Sequence, residues 1–88
     1  MVDYSTLPQY MQESVRGYVE LGRPIGDFLT AVFSNNLVGA YSRADDVNAA
    51  AMRTYASFLY NEVPRGCWGS VEAVKRWQSH NGLSGNRT

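Results

Sequence analysis

Apolar positions recur along this chain at helical spacing. Between Pro24 and Ala44, the residues Ile25, Phe28, Leu29, Val32 and Phe33 fall at i, i+3, i+4, i+7 and i+8. Leu37, Ala40, Tyr41 and Ala44 resume that spacing after the polar pair Asn35-Asn36. Such a period lays a broad apolar stripe along one face of a helix. It predicts two short helices, over about 25–34 and 37–43, each with an apolar stripe; a continuous bent helix is the alternative. The Asn-Asn pair between them suits a turn, because Asn tolerates left-handed backbone.

The flanking segments read in the same way. Leu7, Met11, Val15, Tyr18 and Val19 predict a first helix over about 8–21. Ser5 or Thr6 is its expected N-cap, and Pro8 fits the first turn, where a missing N–H costs nothing. Gly17 is expected to admit a neighbouring helix, and Gly22 followed by Pro24 to stop the run. A long helix is predicted over about 46–62, capped by Asp45 or Asp46 and strengthened by Ala49, Ala50 and Ala51. Its expected inward face is Ala51, Met52, Tyr55, Phe58, Leu59 and Val63, with Arg53, Ser57 and Asn61 outward. Pro64 ends it.

The segment Pro64-Arg65-Gly66-Cys67-Trp68-Gly69 predicts an irregular loop. Ser70 then caps a last helix over about 71–80. Val71, Val74 and Trp77 are expected inward, and Glu72 is placed to pair with Arg76 at i+4. The tails, 1–6 and 82–88, are expected to fray. No segment alternates with the period of a strand. The expected fold is all-α, a compact bundle of four or five short helices forming one domain over 1–88.

Composition narrows the function classes. Eight basic and eight acidic residues cancel, which argues against nucleic acid held by bulk electrostatics. Two Trp, six Tyr and three Phe among 88 residues supply a core and argue against disorder. The single cysteine, Cys67, permits no internal disulfide and fits a reducing compartment. Neither a signal peptide nor an apolar run of membrane-spanning length is visible, so the expected location is cytoplasmic, with no membrane partner. A domain this small gains from self-association, which keeps a homodimer among the arrangements.

Candidate chemistry is sparse. Cys67 and His80 are the sole thiol and imidazole, too few for a zinc site and without a third group for a thiol nucleophile. Cys67 reads as an apolar filler and His80 as a helix C-terminal residue. No catalytic residue, metal site or cofactor is therefore expected. Two polar constellations remain as partner-binding candidates. Arg43, Asp45, Asp46 and Asn48 form the densest cluster, readable as a site at a helix N-terminus or as a cap with solvated charges. Arg65 and Trp68 share a loop, and Trp and Arg are enriched at binding hot spots. Trp68 folded back beside Trp77 is the alternative.

Several stretches together resemble a known group. They are Leu7-Pro8-x-Tyr10-Met11, Tyr18-Val19-Glu20-x-Gly22-x-Pro24, Phe28-Leu29-Thr30-Ala31-Val32, Asn36-Leu37 with Arg43-Ala44-Asp45 and Asn48, and Phe58-Leu59-Tyr60-Asn61-Glu62-x-Pro64 with Cys67-Trp68-Gly69-Ser70. Over about 7–77 the chain resembles short accessory proteins encoded by tailed phages and prophages. Ile25-Gly26 departs from the turn expected after Pro24. The resemblance implies action inside a bacterial host cell and supplies no catalytic residues to carry over.

The expected function is a non-enzymatic interaction module that binds a host or phage protein. An inhibitor of bacterial defence, such as one acting on a CRISPR effector, fits that description. The alternative is a small-ligand binder that sequesters a nucleotide signal, with Arg43 or Arg65 beside a stacking ring. A DNA-binding regulator ranks lower. The loop before the last helix exceeds a helix-turn-helix turn, and Val71-Glu72-Ala73-Val74 lacks base-reading groups.

Overall fold

The computed structural model describes residues 2–85. In chain order the helices are α1 Gln9–Leu21, α2 Asp27–Phe33, α3 Leu37–Arg43, α4 Asp46–Ala50, α5 Met52–Asn61, α6 Val71–Ser79 and α7 Gly82–Gly85. The fold is all-α, and the described residues contain no strand. Its core joins α1, α2, α5 and α6 with the 64–69 loop.

Helix α1 buries Val15, Tyr18 and Val19, as its spacing predicts. Its N-cap differs from expectation. Pro8 takes that position, and the Ser5 hydroxyl instead donates to Asp3 at 2.6 Å. Gly17 meets the aliphatic stem of Arg23, not another helix.

Gly22 ends α1 in the left-handed region at φ 71, and Gly82 stands against it at φ 62. A Cβ on either glycine would lie 2.7–2.8 Å from the other's backbone nitrogen. Only glycine admits this approach, and it seats α7 on α1. Gly82 thus opens a further turn of helix, where the sequence predicts a stop and a frayed tail. The N-terminal segment also departs from fraying. Tyr4 is 6 % exposed, its ring lies tilted against that of Phe58 at 5.8 Å, and its hydroxyl donates to Glu20 at 2.9 Å. The remaining tail positions, 1 and 86–88, lie outside the described residues.

The predicted long helix is two helices. At Ala51 the backbone leaves helical values (φ −95, ψ 6), and its N–H is shared between the carbonyls of Val47 and Asn48. Across the break, the buried Asn48 side chain accepts the Tyr55 hydroxyl at 2.8 Å. A buried amide needs such a partner. Met52, Tyr55, Phe58 and Leu59 form the inward face of α5, with Arg53, Ser57 and Asn61 outward as predicted. In α6 the Ser70 hydroxyl caps the Ala73 N–H at 3.0 Å. Ala73, Val74 and Trp77 are buried there, whereas Val71 is exposed. The Glu72–Arg76 pair does not form; among the described residues the ion pair is Arg16–Glu13 at 3.9 Å.

Three buried hydrogen bonds close the core over long sequence distance. The Trp77 indole donates to the carbonyls of Tyr18 and Val19, both at 3.1 Å. The Tyr18 hydroxyl donates to the Cys67 carbonyl at 2.7 Å. Removing that hydroxyl leaves a buried carbonyl unpaired, which costs about 1–3 kcal/mol. Tyr18→Phe should therefore lower unfolding stability by that amount in a denaturant titration. Tyr60→Phe, on a fully solvated ring, should stay within about 0.5 kcal/mol of wild type. Equal stability of the two variants would remove Tyr18 from this role.

Candidate functional site

Helix α3 forms where predicted, and Asn36 caps it by accepting the Gly39 N–H at 2.9 Å. Its apolar stripe is buried only in part. Leu37 is 66 % exposed, Val38 78 % and Tyr41 51 %, whereas Gly39 and Ala40 are buried and Ala44 is half-buried. The cause is the short turn at Ser34 to Asn36. Asn35 adopts φ 63, and the Asn36 N–H bonds back to the Ala31 carbonyl at 2.9 Å. That turn folds α3 directly onto α2, so the small residues of α3 make the contact and its large ones stand in solvent.

A groove of about 270 Å³ lies beside this face. Leu37, Ala40 and Tyr41 of α3 form one wall, and Met52, Ala56 and Leu59 of α5 the other. Ala31 and Val32 of α2 contribute to the lining, and Arg53 stands at the edge as its one charged residue. Exposed apolar side chains gathered on one helix, next to an apolar groove, mark an interaction site more often than chance exposure does.

The residues singled out from sequence fall in three places. Asp45 caps α4, accepting the Asn48 N–H at 2.8 Å, and it also accepts the Tyr10 hydroxyl of α1. Both bonds hold its carboxyl below the ordinary value of 3.8, the Tyr10 bond foremost. Asp46 is exposed in the first turn of α4. Asn48, 4 % exposed, is committed to Tyr55 and faces inward.

Arg43 closes α3, donating to the Gly39 carbonyl at 3.3 Å, and lines a second cavity with Asp27, Thr30, Ser34, Asn36 and Val71. That cavity offers no aromatic ring for a base. Arg65 is exposed, while Trp68 is half-buried and packs on the core. Gly69 pins this loop by donating to the Phe33 carbonyl at 2.8 Å. The Cys67 thiol is fully buried, and burial pushes its pKa up to about 12, so it stays a protonated thiol. No group of three His, Cys, Asp or Glu among the described residues is placed to hold a metal. No helix among them is long and apolar enough to cross a membrane.

Leu37, Val38 and Arg53 do not stand out in the sequence as site residues. One signal was available: Val38 lies off the apolar stripe, on the side of α3 that a core-facing helix turns to water. No family model, curated protein or solved structure matches this chain.

The Tyr10–Asp45 bond has a pH signature. A carboxyl lowered in the folded state contributes stability above its unfolded value of 3.8, and that contribution is lost as pH falls through the folded value. A carboxyl NMR titration should place Asp45 below 3.8, and Tyr10→Phe should move it upward. A wild-type midpoint at 3.8 would dismiss the bond.

Proposed function

We propose that the chain is a non-enzymatic interaction module that docks a protein partner on the exposed face of α3. The observation that carries this reading is the trio Leu37, Val38 and Tyr41, held out of the core on a helix whose other side is buried. The inaccessible Cys67 thiol is consistent with a non-catalytic role.

The groove is small and mostly apolar, with Arg53 as its one charged lining residue. Ligand pockets for drug-sized molecules run from about 300 to 1,000 Å³. The α3–α5 groove, at about 270 Å³, lies at the lower end of that range and has room for a few side chains. Full burial of Leu37 and Val38 contributes about 1.5–3 kcal/mol each, against an association cost of about 4–15 kcal/mol. The α3 trio therefore needs the neighbouring groove to make a stable contact. The resemblance to phage accessory proteins points to a host or phage protein as the partner, an effector of bacterial defence among them.

A photo-crosslinking residue at position 38, in lysate of cells that carry the gene, tests this. One defined protein adduct is expected, lost in Leu37→Glu and absent when the crosslinker replaces Ser57. Adducts that ignore Leu37→Glu, or none at all, would overturn the reading.

A further inference from the structure

We infer that the α3–α5 groove, if the docking reading holds, receives an acidic amphipathic helix whose carboxylate pairs with Arg53. Two lines of structure lead there. The first is shape. Both walls are helical, with Leu37, Ala40 and Tyr41 at i, i+3 and i+4 facing Met52, Ala56 and Leu59 at i, i+4 and i+7. A trough between two helices with small residues in its lining is the form that accepts the apolar anchors of a third helix.

The second line is the sign of the polar groups. Arg53 is the one charge lining the groove, and among the described residues no carboxylate lies within 4.0 Å of it. Its guanidinium presents five N–H donors and no acceptor. Asn36, also in the lining, has its side-chain oxygen occupied by the Gly39 N–H, which leaves its amide N–H₂ to donate. The Tyr55 hydroxyl is already turned away to Asn48. Arg53 is thus the one side chain in the lining that can only donate and asks for an acceptor, whereas Asn35 and the Tyr41 hydroxyl, also in the lining, can donate or accept. A carboxylate satisfies a guanidinium in a bidentate pair, with geometry that a lysine or an amide cannot return. Apolar anchors flanked by Asp or Glu therefore complete the groove, and a basic helix of equal hydrophobicity is repelled.

Two synthetic amphipathic helices test this. They share one Leu/Ala face and differ only in carrying Glu or Lys at the flanking positions. Each is titrated into the full chain, with amide shifts of Ala40 and Ala56 as the readout. Wild type should bind the Glu helix at least tenfold more tightly, and this preference should weaken with salt.

Arg53→Glu, on an exposed side chain, should keep the wild-type dichroism spectrum and invert the preference; Arg53→Gln should level it. Equal binding of the two helices by wild type, or a preference that survives Arg53→Glu, would overturn the assignment. So would groove shifts that depend on protein concentration alone, since those would give the groove to a second copy. If neither helix binds but the position-38 adduct still depends on Leu37, the docking face stands and the acidic helix falls. If that adduct is lost as well, both fall together.

Discussion

The indole of Trp77 closes this molecule. It sits at the end of α6, 2 % exposed, and donates to the carbonyls of Tyr18 and Val19 near the end of α1. Carbonyls in the last turn of a helix lack intrahelical partners. Here one is met by an aromatic N–H from 58 residues away. The same turn of α1 sends the Tyr18 hydroxyl to Cys67, which fixes the 64–69 loop, and Gly22 lies against Gly82, which fixes α7. Three parts of the C-terminal third are thus registered on one turn of α1. Each bond is worth little net, but each would be costly to leave open in so dry a place.

That arrangement decides what is left for function. With α1, α2, α5, α6 and the pinned loop supplying the core, α3 is needed only as a small lid on α2, and Gly39 and Ala40 suffice for it. Leu37, Val38 and Tyr41 are then surplus to folding. Large apolar groups kept in water on a chain of 88 residues have a functional explanation more readily than a structural one. The rigid body behind α3 also limits the ordering cost of docking, since its backbone is already set by the Asn36 cap and the Asn35 turn.

Much of the fold is legible in the residue order because local signals and burial agree. The α1 stripe, the Gly22 stop, the Ser70 cap and the inward face of α5 all follow from period and capping chemistry. Three features do not follow from apolar period and capping signals. The break at Ala51 has no glycine or proline to announce it; it accompanies a buried Asn48 paired with Tyr55. The seating of Gly82 depends on a glycine 60 positions away. The candidate site is the least legible part. Periodicity marks Leu37 and Tyr41 as apolar and regular, but it cannot tell a face that meets the core from one that awaits a partner. Only the tight turn before α3 settles that, and its geometry is set by αL backbone at Asn35.

The closure by Trp77 is tested most directly by hydrogen exchange at its own indole N–H. With Trp77 holding the fold closed, this proton should exchange only when the whole molecule opens. Its protection should match that of the α1 core amides and fall with denaturant at the same slope. An indole proton that exchanges with a small, denaturant-independent free energy, while α1 stays protected, would show that α6 opens on its own and that Trp77 does not hold the fold closed.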